Sequence, residues 1–182
     1  SSRWRDLKDG VVHVLRTPAL IAGMWLAFLI NLTAYPATNG LLPYVARKIY
    51  LVDATGLGWL VASFSLGGLL ASITVVITGG SRRPGRSMLV YTVIWYVLLI
   101  AFGQLRSLEA GLLTLFTAGF VQNVGMISMT ATLLAMSGDR FRGRVMGVRA
   151  LAVYGLPLGL VASGALIERI GFPLTISAFA II

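Results

Sequence analysis

The chain has 182 residues, with 15 Lys and Arg against 6 Asp and Glu for a net charge of +9; 57% of it is hydrophobic and only 12% charged. Ordinary soluble domains carry about 25% charged residues, and a compact soluble fold cannot hide this much apolar surface, so a soluble enzyme is all but excluded. The sequence has no Cys, which also removes disulfide scaffolds, thiolate metal sites and cysteine nucleophiles.

Residues 1–17 read as a cytoplasmic, amphipathic interfacial segment. Trp4, Leu7, Val11, Val14 and Leu15 share one helical face, with Arg5, Lys8, Asp9, His13 and Arg16 on the rest, the pattern of a helix lying in the membrane interface. His13 is expected to be a solvated interfacial residue. Thr17 and Pro18 then form an N-cap and first helical position. About 20 residues at a rise of about 1.5 Å cross a bilayer core, and apolar stretches of that order follow at 18–44, 55–79, 87–103, 108–136 and 145–167. A sixth stretch, 172–182, holds 11 residues, too few to cross, so the last helix is expected to be truncated. That, and Ser1 in place of Met, suggests a piece of a longer chain or a processed or engineered product. The expected fold is an all-α integral membrane protein, a six-helix transmembrane bundle over 18–182.

The spans differ in what they carry. In the first, Phe28, Asn31, Tyr35, Thr38 and Asn39 fall within about 100° of helical arc. In the fourth, Gln122 and Asn123 sit mid-span, with Gly119, Met126, Met129 and Thr130 on the same side. Amides at membrane depth face protein or a water-filled cavity; they either line a cavity or serve as interhelical glue. Small residues recur at four-residue spacing, as Ser63, Gly67 and Ala71 in the second span and as Gly143, Gly147, Gly155 and Gly159 in the fifth. Such stripes let helix backbones approach closely, in static packing or in interfaces that slide. The third span is bulky, with Tyr91, Trp95, Tyr96, Leu98 and Leu99, and is expected to face lipid.

The charges alternate between loops. One face would hold Arg3, Arg5, Lys8, Arg16, Arg82, Arg83, Arg86, Arg140, Arg142, Arg144 and Arg149, eleven basic residues, and the other Arg47, Lys48, Arg106 and Arg169. Positive-inside bias places the eleven-residue face, and with it the N-terminus, in the cytoplasm. This alternation does not fit a nucleic-acid-binding stripe. The six acids, Asp6, Asp9, Asp53, Glu109, Asp139 and Glu168, all fall in or beside loops, so no span offers the titratable carboxylate that proton coupling requires. Arg149, inside the fifth span, either snorkels to the cytoplasmic surface or reaches an anionic partner; snorkelling is the expectation. No metalloprotease, phosphate-loop or nucleophile-elbow motif occurs, and neither enzymatic activity, a cofactor nor a metal is expected.

The run Gly79-Gly80-Ser81-Arg82-Arg83-Pro84-Gly85-Arg86-Ser87-Met88-Leu89 resembles the cytoplasmic loop signature of the major facilitator superfamily, G-x-x-x-D-R-x-G-R-R/K, which joins the second helix of each six-helix half to the third. Arg83, Gly85 and Arg86 match it, and Arg82 stands where the family carries Asp. Arg142-Gly143-Arg144-Val145-Met146-Gly147 with Gly155-Leu156-Pro157-Leu158-Gly159 resembles the eleventh helix of bacterial drug and siderophore exporters of that superfamily. Leu41-Leu42-Pro43-Tyr44 and Thr55-Gly56-Leu57-Gly58-Trp59 resemble the end of the seventh helix and the start of the eighth. The resemblance implies the C-terminal half, helices seven to twelve, of a secondary transporter in the bacterial inner membrane. The first and fourth spans would line the cavity, the second and fifth would pack against the other half, and the third and sixth would lie outside. Asn31, Tyr35, Asn39, Gln122, Asn123 and Met126 would contact a small, amphipathic substrate, with efflux the favoured direction. Arg83, Gly85 and Arg86 would act at the cytoplasmic gate. The partner would be a second six-helix half, in the same chain, in a separate half-size protein or in a second copy. The competing expectation is a membrane module that transports nothing and stabilises a partner transporter; the transmembrane domain of an ATP-driven exporter fits worse, because the loops are short.

Overall fold

The computed structural model describes Lys8, Val11, Val12, residues 14–139 and residues 141–181. Arg3, Trp4, Arg5, Leu7, Asp9, His13, Arg140 and Ile182 lie outside the described residues. Among those described, every regular element is helical. Five helices are long and apolar enough to cross a membrane: α1 Pro18–Ile49, α2 Ala54–Thr78, α3 Pro84–Gln104, α4 Leu108–Ser137 and α5 Arg142–Ile170. The shorter apolar helix α6, Phe172–Ile181, follows. The chain is a multi-pass membrane protein built as an all-α bundle.

Each boundary has a local cause. Thr17 precedes Pro18 at the start of α1, where the missing Pro N–H would have had no helical acceptor. Asp53 caps α2, its carboxylate accepting from the Gly56 N–H at 3.0 Å, and Gly79 ends that helix in the left-handed region at φ 73°, where a side chain would be strained. Asp53→Ala should therefore destabilise the fold by about 1 kcal/mol, read as a lower denaturation midpoint in detergent; an unchanged midpoint would show the cap to be idle.

The bundle is organised around α4, which packs along both α2 and α3, while α1 packs on α5 and α3 on α6. Gly85 at the start of α3 lies against Thr132 near the end of α4, and Gly111 at the start of α4 lies under the Tyr50 ring just past α1. Neighbouring helices thus run up and down, which brings the α2–α3 and α4–α5 turns to one end of the bundle. Ahead of α1, Val14 is buried, and Val11 and Leu15 share an apolar groove with Ile21, Met24, Trp25, Phe28 and Val148.

Two sequence expectations need correction. The first helix does not stop at residue 44 but runs on to Ile49, so Arg47 and Lys48 occupy its last turn, where cations complement the helix macrodipole. The third helix does not simply face lipid. Trp95 and Leu99 are buried, Tyr96 bonds the Thr33 hydroxyl at 2.6 Å, and Trp95 packs edge-on against Tyr35. Its outward face is instead Leu89, Val90, Val93, Ile94 and Val97.

Candidate functional site

The first helix is irregular where its polar residues lie. Its α-helical run Pro18–Leu29 gives way to π turns at Ile30–Ala34 and Pro36–Gly40. Pro36 has no N–H to continue the α ladder, and the wider turns restore bonding one residue further back, as in Leu41 N–H to Pro36 O at 2.9 Å. Across from it, α5 tightens into a 3-10 turn at Leu151–Tyr154 just before Pro157. Irregular backbone at membrane depth is tolerated where protein buries it or a cavity solvates it, and π turns concentrate at functional sites.

Between these two irregular stretches and α4 lies a cavity of about 510 Å³. Asn31, Tyr35 and Asn39 from α1, Met126 and Met129 from α4, and Met146, Arg149, Val153 and Leu156 from α5 contribute to its wall. Gln122 stands behind that wall and donates through Nε2 to the Tyr35 hydroxyl at 2.9 Å. Tyr35 is thereby held from two sides, by the amide of Gln122 and by the edge of Trp95 at 5.6 Å between ring centroids. Asn31 donates to the Ala27 carbonyl one turn back at 2.9 Å, which leaves its own carbonyl oxygen for other donors.

Four of the six residues expected to contact substrate, Asn31, Tyr35, Asn39 and Met126, come together in this wall, and Gln122 orients one of them. Asn123 does not join them. One residue along the helix from Gln122, it is rotated by about 100° and packs against Gly68 on α2. Gly119 likewise faces Phe64 of α2 rather than the cavity, and Thr38 is buried.

Arg149 departs furthest from expectation. It does not snorkel outward: its Nη1 donates to Thr130 Oγ1 at 3.0 Å and its Nη2 lies 3.9 Å from the Met126 sulfur. Sequence reasoning missed the face it belongs to, although Met146, Arg149, Val153 and Leu156 recur at the three- and four-residue spacing of one helical face.

The glycine stripes divide in two. Gly67 abuts the Phe116 carbonyl of α4, Gly119 abuts the Phe64 carbonyl of α2, Ser63 donates to Leu112 O at 2.7 Å, and Ala71 is fully buried. Gly155 and Gly159 abut the Phe28 and Leu32 carbonyls of α1. These members of both stripes therefore pack statically inside this bundle, the first of the two readings that the spacing allows. Gly143 and Gly147 have open space where a Cβ would stand, so they pack nothing here. In the α2–α3 turn, Arg83 and Arg86 are exposed, and the turn is braced by Ser81, whose hydroxyl accepts from the Arg83 N–H at 3.2 Å and from the Ser87 hydroxyl at 2.6 Å.

Fold and site together define a multi-pass helical membrane protein with a largely apolar cavity among three of its helices, into whose wall Asn31, Tyr35, Asn39 and Arg149 are set. In sequence the chain is similar to the Multidrug resistance protein Stp of Mycobacterium tuberculosis, at 29% identity over 147 residues, a match covering 74% of this chain and 25% of Stp. The Stp protein of a second strain of that species matches to the same extent. The chain is also similar to the Multidrug efflux pump Tap of Mycolicibacterium fortuitum, at 26% identity over 130 residues, covering 71% of this chain and 32% of Tap. It thus spans between a quarter and a third of the length of the curated relatives it matches. No family model matches the chain, and no solved structure does.

Proposed function

We propose that the chain is the C-terminal six-helix half of a major facilitator superfamily exporter in the bacterial inner membrane. Its N-terminus and the segment 1–17 are cytoplasmic, and its cavity is shared with a second six-helix half. It moves a small, amphipathic molecule outward by alternating access, the two halves rocking about a site near the membrane midplane. The observation that carries this reading is the cavity wall of Asn31, Tyr35, Asn39 and Arg149 within apolar helices; polar groups at this depth are expensive unless they serve a pathway or pair with one another. Similarity to proteins named for multidrug resistance and efflux supports the same class. Asn31, Tyr35, Asn39 and Met126 contact the substrate, Gln122 positions Tyr35, and Arg83, Gly85 and Arg86 act at the cytoplasmic gate. The spans carry no carboxylate near their middle, so a carboxylate for energy coupling is housed elsewhere.

The test is dye efflux from liposomes reconstituted with the native gene product. Gln122→Leu removes the donor that holds Tyr35 and should lower transport up to about tenfold, the worth of one lost hydrogen bond in the site. Membrane insertion and melting temperature should stay near those of the parent, because a single interhelical hydrogen bond averages only about 0.6 kcal/mol. Parental efflux rates from both Gln122→Leu and Asn31→Leu would remove the site, and no flux in the parent protein would remove the transporter.

A further inference from the structure

We propose that Arg149 is an anchor for an anionic group of the bound molecule, so that the cavity selects amphipathic anions such as carboxylates over neutral molecules of the same shape. This rests on the transporter reading and specifies its substrate class.

Arg149 lies seven residues into α5, which starts at Arg142, about 10 Å along the axis at about 1.5 Å per residue. Its side chain could have reached back toward the headgroups but turns into the cavity instead. A guanidinium set among apolar helices is unfavourable unless it pairs with a counter-charge or polar partners. Among the described residues its hydrogen-bond partners are both neutral, the Thr130 hydroxyl and the Met126 thioether. A guanidinium carries five N–H donors in a planar fork suited to carboxylate and phosphate, so most of its donor capacity remains for a ligand. Among the described residues, no carboxylate lines the cavity; Asp139 pairs with Arg142 at the exposed α4–α5 turn.

The rest of the wall leans the same way. The Tyr35 oxygen already accepts from Gln122, which leaves its own O–H to donate into the cavity beside Arg149. Asn39 adds an amide donor engaged only in a long contact of 3.4 Å with Thr38. Met126, Met129, Met146 and Leu156 supply an adaptable apolar bed for the remainder of the molecule. A cation with two neutral partners, next to a tyrosine O–H, suits an anion with an apolar body.

The counter-charge has one other source, a carboxylate of the second half reaching across the shared cavity, and the experiment separates the two. The native gene product is purified into nanodiscs and titrated by fluorescence anisotropy with dansyl-phenylalanine, a carboxylate, and with its neutral amide. The carboxylate should bind more tightly than the amide. Arg149→Gln should weaken carboxylate binding about ten- to a hundredfold, as expected for losing charge-assisted hydrogen bonds, and leave the amide unchanged; Arg149→Lys should recover part of the loss. Equal affinities of the two probes in the parent protein, or tighter carboxylate binding in Arg149→Gln, would mean that a protein carboxylate already occupies Arg149, and would overturn the proposal. Carboxylate binding that ignores Arg149 would overturn it too. Flux of both probes is followed in liposomes. Binding that depends on Arg149 without flux of either probe would leave the anion site standing and remove the transporter; flux of the amide alone would do the reverse.

Discussion

Replacing Trp95 by Ala is expected to lower stability by about 3–5 kcal/mol, the range for emptying a large aromatic from a packed interior. Trp95 is 1% exposed and sits between the rings of Tyr35 and Tyr96, at centroid distances of 5.6 and 6.1 Å. In a bilayer, packing replaces the hydrophobic drive as the force between helices, so a void at this point forfeits dispersion contacts directly. The loss should reach function, since Tyr35 leans on this ring while its hydroxyl is held by Gln122. Trp25 and Trp59 provide the contrast, at 60% and 62% exposure, and their Ala variants should stay within about 0.5 kcal/mol of the parent. Trp95→Phe gives a second contrast. The indole Nε1 of Trp95 is buried without a partner, so Phe removes an unsatisfied donor along with part of the volume and should cost less than Ala. Unfolding titrations in mixed micelles measure all four; a Trp95→Ala midpoint equal to that of Trp25→Ala would refute the packing role.

Why Trp95 was expected to face lipid explains which parts of this fold the sequence discloses. Span positions are sought in hydropathy, because lipid and water differ sharply, and Ala54–Thr78, Pro84–Gln104 and Leu108–Ser137 are each long and apolar enough to cross a membrane. Faces are harder, because bundle interior and lipid are equally apolar. On α3, buried Leu99 and exposed Val97 carry no contrast in polarity. Where polar groups exist the faces become legible, and the α1 residues Asn31, Tyr35 and Asn39 do share a wall. Even there the resolution is one residue: Gln122 and Asn123 are adjacent, yet one reaches Tyr35 and the other Gly68. The sequence leaves the direction of Arg149 open, although the spacing of Met146, Arg149, Val153 and Leu156 marks a shared face. A long cationic side chain near a helix end can point either way, and only the convergence of α1, α4 and α5 supplies Thr130 and Met126 as neighbours.

The same limit applies to glycine. A small-residue stripe marks a close approach without saying against what, and the structure turns that ambiguity into a contrast of sign. Gly67→Ala and Gly119→Ala should each destabilise the bundle by about 1–3 kcal/mol, the usual cost of overpacking. At Gly67 a Cβ would drive into the carbonyl of Phe116, with the Phe120 nitrogen 2.9 Å away. At Gly119 it would drive into the carbonyl of Phe64, with the Phe64 Cα 3.2 Å away. In both places the obstacle is backbone on a neighbouring helix, which cannot rotate aside as a side chain would, so α2 and α4 must separate. Separation also stretches the Ser63 hydroxyl bond to Leu112 O, 2.7 Å long one turn from Gly67. Gly58 lies in the same helix α2 with nothing within 4 Å of its would-be Cβ. There the substitution has only the helical preference of Ala over Gly to express, up to about 1 kcal/mol in the stabilising direction. One chemical change thus carries opposite signs within a single helix, decided by what stands across from it. Melting temperatures of the three variants in detergent test the contrast: equal shifts at Gly58 and Gly67 would mean that α2 and α4 are not in backbone contact.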